Sequence, residues 1–243
     1  MKLLNSEGII FRTIKYSETS IICDIYTEDK GLRSFIVSGV RSSRSGSKAA
    51  IYQPLNIVHI IAYDADGDKL SRIKEISLAY PYEAINVDVV ISSMAIFMLE
   101  VARMSIKESE ANPGLYQFLV ASFKYTDQKK IKNPCLHLLF MIELSSYLGF
   151  GPLDNYSDET PYFNLTDGVY GDTTTVKNDI LGMDDSKDFY DLSRYTFGDI
   201  DQISLTKNRR GALLKHLLHF YKIHITGFRD PNSLEVMKSI FMS

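Results

Sequence analysis

The chain has 243 residues, of which 45% are hydrophobic and 12% aromatic, with a formal net charge of -3. Such a composition supports a sizeable core and up to two domains, and it excludes an intrinsically disordered chain. Met1 to Glu7 lacks the apolar core of a signal peptide, and the longest apolar stretch, Val89 to Leu99, is shorter than the ~20 residues needed to cross a bilayer. No membrane role and a cytoplasmic location are expected. Cys23 and Cys135 lie in apolar runs and read as buried, reduced thiols.

In chain order, the first third reads as strands. Gly8 to Ile14 and Thr19 to Thr27 come first. Leu32 to Ser38 follows the turn Asp29-Lys30-Gly31, Pro54 to Tyr63 sets Leu55, Ile57, His59 and Ile61 against Asn56, Val58 and Ile60, and Leu70 to Leu78 follows the turn Asp64-Ala65-Asp66-Gly67-Asp68. Five short strands with no helix-length crossover between them predict a small closed antiparallel barrel such as an OB-fold over residues 1–80. Between Lys30 and Lys48 the chain carries five cations (Lys30, Arg33, Arg41, Arg44 and Lys48) and no Asp or Glu. Its second half, Ser38 to Lys48, is too small and polar to pack, and predicts a basic loop between strands three and four. Residues 1–80 hold eleven Lys and Arg against nine Asp and Glu, whereas residues 81–243 hold sixteen against twenty-one. A polyanion footprint therefore belongs to the N-terminal part.

From about Val87 the period becomes helical. Val87 to Ser105 is apolar on most faces, the mark of a buried helix. Asn112-Pro113 and Asn133-Pro134 each place a capping side chain before a proline, which predicts helices over Gly114–Tyr125 and Cys135–Leu148. An irregular acidic insert follows at about 153–188. Within it, Tyr162 to Tyr170 reads as a hairpin turning at Asp167-Gly168. Helix resumes near Phe189, with an amphipathic run over Lys207–Ile225 and a last helix over Ser233–Met242. The predicted class is α+β and multi-domain: an N-terminal OB-fold, five-stranded β-barrel, then an α-helical bundle domain over 81–243 with a small β-hairpin insert.

Catalytic and metal readings find little support in these residues. Neither cysteine has a neighbouring cation or histidine to activate it. His216 and His219 lie one helical turn apart without a completing carboxylate. Asp64, Asp66, Asp68 and Glu75 fall at EF-hand positions 1, 3, 5 and 12, but the glycine is misplaced and the following residues read as strand. No metal, no cofactor and no enzymatic activity are expected. The cations have better company: Arg12, Lys15 and Tyr16 close the first strand, and Arg33 and Phe35 lie on the third. On an OB-type barrel, aromatic rings stack bases while Arg and Lys follow the backbone. The candidate nucleic-acid-binding set is Arg12, Lys15, Tyr16, Lys30, Arg33, Phe35, Arg41, Arg44 and Lys48.

Several motifs, taken in order, resemble those of the RecO family of bacterial recombination mediators. They are Gly8-Ile9-Ile10-Phe11-Arg12-Thr13 with Tyr16-Ser17-Glu18-Thr19, then Gly31-Leu32-Arg33, Ser38 to Arg44, and Tyr52-Gln53-Pro54-Leu55-Asn56. Met98-Leu99-Glu100, Asn112 to Tyr116, Leu136 to Pro152 and Phe228 to Phe241 continue the likeness into the helical part. Many family members carry a four-cysteine zinc site after the Leu-Gly-Pro turn. Here that region reads Asp154-Asn155-Tyr156-Ser157-Asp158-Glu159, so the hairpin must be held by Tyr162, Phe163, Val169 and Tyr170 instead. The resemblance implies a DNA repair and homologous-recombination mediator acting at the nucleoid. Such a protein binds single- and double-stranded DNA, anneals complementary strands and helps load recombinase with RecR. It also implies contact with the acidic C-terminal tail of the single-stranded-DNA-binding protein, for which Lys207, Arg209, Arg210 and Lys215 are candidates. The rival reading is an OB-fold interaction scaffold with no nucleic-acid role.

Overall fold

The structure is a computed structural model that describes residues 3–40, 49–63, 70–128, 133–172 and 179–241. The chain divides into two compact units, residues 1–87 with 106–129 and residues 88–105 with 130–243.

In the first unit five strands close into a barrel in the order β1-β2-β3-β5-β4: β1 Leu3–Lys15, β2 Ile21–Thr27, β3 Gly31–Val37, β4 Ile57–Tyr63 and β5 Ser71–Tyr80. This is the OB-fold arrangement. The pairs are antiparallel except β3 with β5, which close the ring as a short parallel pair at Phe35–Ser71 and Ile36–Arg72. β1 starts five residues earlier than the sequence pattern indicates. Its first half pairs with β4 and its second with β2, and the buried Ser6 interrupts the apolar alternation that would have revealed it. A bulge between Ile10 and Arg12 lets Phe11 and Arg12 both lie on the outer face. There Phe11 stacks on Tyr26 at 5.4 Å.

β4 begins at Ile57 rather than Pro54 because the chain first bends through Leu55, whose φ of 78° lies in the left-handed region. That backbone costs a non-glycine residue about 1–3 kcal/mol, offset by three fixed contacts. Leu55 N donates to Ile10 O at 2.9 Å, Ile10 N donates to Asn56 O at 3.0 Å, and the Tyr82 hydroxyl donates to Leu55 O at 3.0 Å.

A helix, Pro113–Gln128, belongs to the same unit as the barrel, so the sequence-based boundary at residue 80 ends the barrel strands but does not divide the two compact units. Its Tyr116 ring lies 6.4 Å from Tyr26. Near its end, buried Asp127 accepts backbone N–H bonds from Glu83, Ala84 and Ile85 at 2.8–3.1 Å and the Tyr80 hydroxyl at 3.2 Å. One carboxylate thereby satisfies the turn that leaves β5. At the start of β3 Gly31 has a φ of 63°, and a Cβ there would sit 2.2 Å from Glu110 O.

The second unit is helical. In chain order α1 is Val89–Ser105, α2 is the barrel-unit helix just described, α3 is Leu136–Tyr147, α4 is Met183–Ser193, α5 is Lys207–His224 and α6 is Leu234–Phe241. α3 is apolar on every side and central, with α1, α4 and α5 packed on it. Helix resumes at Met183, earlier than the pattern indicates. Asp184 and Asp185 read as insert but occupy the first turn of α4, where the helix dipole favours acids. The hairpin forms as β6 Tyr162–Asn164 and β7 Val169–Gly171, turning at Gly168 with φ 69°. Of the four residues expected to hold it, alternation buries Phe163 and Tyr170 and leaves Tyr162 and Val169 half-buried. Phe163 stacks on Phe189 at 4.6 Å, and Tyr156 stacks on Tyr190 at 4.7 Å. These rings form an aromatic plug about the hairpin.

Candidate nucleic-acid interface

Strand register places each candidate on the barrel. Lys15, Ile21 and Val37 are in line at one end, so the turn that follows Lys15 and the segment that follows β3 leave from the same edge. Lys15 and Tyr16 are exposed there: Lys15 has no ion-pair partner among the described residues, and Tyr16 is 59% exposed. The segment after β3 is rooted in the barrel on both sides. Val40 and Tyr52 are buried in its core. Thr13 Oγ1 donates to Tyr52 O at 2.6 Å, and Asn56 Nδ2 donates to Ala50 O and Ile51 O at 3.0 Å. Arg41, Arg44 and Lys48 fall between these anchors and lie outside the described residues.

The remaining candidates separate. Lys30 sits in the β2–β3 turn at the other end of the strands, roughly 20 Å away along seven residues. Arg33 pairs with Ile25 on the inward-facing register and is half-buried towards that far end. Phe35 is fully buried in the barrel core. The expectation that it stacks bases is corrected: pairing with Cys23 turns its ring inward. Arg12 is exposed on the outer face, but its guanidinium is tied to Asp24 at 2.7 and 2.8 Å. Asp24 is held in turn by Ser34 Oγ at 2.6 Å.

Register also brings together residues that composition could not single out. Ile14 pairs with Ile22, Ile22 with Ile36, Ile36 with Arg72, and Arg72 with Tyr63. The inward positions on either side of these isoleucines build the core cluster, whereas Ile14 is 40% exposed and Ile22 and Ile36 are half-buried outside it. An aliphatic row thus crosses three strands on the outer face, ended by Arg72, next to the Arg12–Asp24 pair. Ordinary β-strand alternation hid it, because Ile22 and Ile36 read as core.

In the helical unit the four tentative partner-binding cations also divide. Arg209 donates through Nε to buried Asp188 and at 3.2 Å to Asp184 O, and Arg210 donates at 2.7 Å to Leu205 O. Lys207 is exposed on the first turn of α5. Lys215 instead lines a cavity of about 300 Å³ between α5 and α6. Its floor is Leu214, Leu218 and Leu234, and Lys222 and Lys238 share its rim. Lys222 pairs with Asp230 at 2.7 Å and Lys238 with Glu235 at 2.8 Å.

His216 and His219 do not converge on a common point. Their Nε2 atoms meet Asp185 at 3.0 Å and Asp179 at 2.7 Å. Asp64, Asp66 and Asp68 lie outside the described residues, and among those described no cluster could hold a metal ion. Burial pushes the Cys23 thiol up to about 12 and the Cys135 thiol to about 11, which leaves both protonated and unreactive at neutral pH. No helix among the described residues is long and apolar enough to cross a membrane.

An OB barrel with a cationic strand end, continued in one chain by a helical unit, defines an OB-fold protein of the α+β class. Comparison with known proteins narrows that class. Residues 1–82 match the family model for the recombination protein O N terminus, and residues 87–155 match that for its C terminus. The chain is 34% identical over 240 residues to the DNA repair protein RecO of Flavobacterium psychrophilum, and 35% over 243 residues to that of Christiangramia forsetii. It is 28% identical over 239 residues to the same protein of Phocaeicola vulgatus. Each alignment spans 98% of this chain and 99% of the relative. The chain belongs to the RecO family of DNA repair proteins.

Proposed function

We propose that this protein is a non-enzymatic mediator of DNA repair and homologous recombination that binds single- and double-stranded DNA through one end of its barrel. The observation that carries the reading is the common edge. Lys15 and Tyr16 emerge in line with Val37, and the segment bearing Arg41, Arg44 and Lys48 in its sequence is anchored at that same edge by Val40 and by Tyr52 to Asn56. Cations beside a sheet neutralise phosphates without demanding a particular sequence. Screening two phosphate backbones at once lowers their repulsion while complementary bases pair, which is the physical basis for annealing. Family membership supports the wider assignment, in which the protein works with RecR to help recombinase onto DNA coated by the single-stranded-DNA-binding protein.

The acidic tail of that coating protein is assigned to the cavity between α5 and α6, where an apolar floor and a lysine rim match a peptide carrying both carboxylates and an apolar end. Of the four cations first considered, Lys215 serves there, while Arg209 and Arg210 are engaged within the unit and Lys207 lies outside the cavity lining. Beside Lys215 stand Lys222 and Lys238, whose exposed pairs with Asp230 and Glu235 an incoming carboxylate would have to displace. Lys215→Glu is expected to weaken binding of an acidic peptide about tenfold or more and to leave DNA binding intact. Retained peptide affinity would move the tail elsewhere.

Filter binding of labelled oligonucleotides at low and moderate salt tests the DNA role directly. Retention at low salt that weakens as salt rises is the expected result, and Lys15→Glu should reduce it. Absence of retention at any salt would leave the barrel as a protein-interaction scaffold.

A further inference from the structure

The helical unit holds a second cavity, which shares no lining residue with the one beside Lys215. It measures about 360 Å³ and lies between α4 and the segment that joins the short 3₁₀ helix Phe197–Gln202 to α5. Asp188, Asp191 and Leu192 of α4 form one wall, with Tyr195 just beyond them. Ser204, Leu205 and Thr206 form the other. Neither wall takes part in phosphate binding or in holding an acidic tail.

The second wall is extended backbone with only its inner edge in use. Ile203 has φ -79° and ψ 112°, and Thr206 has φ -62° and ψ 157°. Leu205 turns inward: its carbonyl accepts from Arg210 Nη1 at 2.7 Å, and its N–H donates to the Cys135 thiol. Asn133 Nδ2 donates to Ile200 O at 2.7 Å and fixes the approach to the segment. Successive residues of an extended chain point their backbone N–H groups to opposite sides. Ser204 and Thr206 therefore turn theirs away from Cys135, towards the cavity. Among the described residues neither the Ser204 N–H nor the Thr206 N–H has a hydrogen-bond partner. The result is a short sheet edge without a neighbouring strand.

The helix wall is acidic on this side. Asp188 and Asp191 lie one helical turn apart and both line the cavity. Each has a donor on one carboxylate oxygen: Arg209 Nε on Asp188 Oδ2, and Lys187 Nζ on Asp191 Oδ1. Among the described residues no donor reaches the other oxygen of either acid. Arg209 is drawn aside to Asp184 O at 3.2 Å, and the half-exposed Lys187–Asp191 pair is of the kind that adds little and yields readily. We propose that this groove docks an extended segment of a partner protein that carries lysine or arginine. The main chain of the segment pairs with Ser204 and Thr206 as an added strand. Residues two apart share the face turned to α4. A basic side chain there meets the open oxygens of Asp188 and Asp191, and an apolar one two positions on covers Leu192 and Tyr195. Backbone pairing supplies affinity and the two acids supply the choice of charge. An acidic segment would set its carboxylates against these two, which disfavours it.

The test is a fluorescence-anisotropy titration of the full chain with three labelled peptides. The first places lysine and valine in turn at every second position, with threonine between. The second is the same peptide with its backbone amides N-methylated, and the third replaces lysine by glutamate. The wild-type protein should bind the first about tenfold or more tightly than either of the others. Asp191→Lys should weaken the first peptide about tenfold and improve the third. Ser204→Pro removes one pairing N–H where Ile203 is already extended, as a residue before proline must be. It should weaken the first peptide and leave oligonucleotide binding unchanged. Should that variant unfold more readily, the N-methylated peptide tests the same hydrogen bonds on the unaltered chain. Equal affinity for the first two peptides would overturn strand addition, and with it the proposal. Unchanged affinity in Asp191→Lys would overturn the role of the acidic wall. A preference for the glutamate peptide, or no binding of any peptide, would overturn the docking groove as a whole.

Discussion

His137 is the residue on which burial acts most strongly. It is almost entirely removed from solvent on the central helix α3, edge-on to Phe97 at 5.6 Å. Desolvation, reinforced by the Arg210 charge, pushes its pKa from 6.5 down to about 3. The native state therefore favours the neutral ring. Its contribution is complete above pH 6.5 and is lost as pH falls from 6.5 towards 3, by up to roughly 1.4 kcal/mol per pH unit. Melting temperatures measured across that window should fall with acidification, and His137→Gln should flatten the dependence. An unchanged slope in the variant would show that other groups carry the acid sensitivity. Single residues were also where sequence reading reached least far. Phe35 and Ile36 are adjacent and equally apolar, yet pairing turns the first into the core and the second to the surface. Likewise Arg12 reads as a free cation until β2 supplies Asp24 directly opposite it. Charge and hydrophobicity were legible, but partner and direction needed the register.

At the scale of elements, the attachment of α2 to the barrel depends on Asp127. Three backbone N–H groups and a tyrosine hydroxyl converge on its carboxylate, and a buried donor without an acceptor costs about 1–3 kcal/mol each. Asp127→Ala is expected to destabilise the protein by about 3 kcal/mol or more in urea unfolding, and Asp127→Asn by nearly as much, since its amide turns donors towards donors. A loss below about 1 kcal/mol would mean that water replaces the carboxylate without cost. The strands and helices themselves were readable because their periods, caps and turn residues agree. Asp167-Gly168 does turn the hairpin, and Asn112 accepts from Leu115 N at 3.0 Å at the start of α2. What sequence could not give was membership. Nothing in Pro113–Gln128 says that it belongs with strands, because a buried aspartate at the end of a helix looks like any solvated acid.

Over the whole molecule the charge asymmetry between residues 1–80 and the remainder was legible from counting. Its distribution over the barrel was not. Lys30 and Arg33 lie towards the end away from Lys15 and Tyr16, so the described candidates divide between the two strand ends rather than forming one broad patch. The rings of Phe163, Tyr170 and Phe189 that pack about the hairpin were visible in sequence although their stacking was not. The central claim, that the barrel edge neutralises phosphates, is tested most directly by the salt dependence of single-strand affinity. For three to five phosphates, log affinity against log salt should fall with a slope of about -2 to -4, and Arg41→Ala with Arg44→Ala should make it shallower by about one or more. A slope near zero in the wild-type protein, or the same slope in the double variant, would contradict the account.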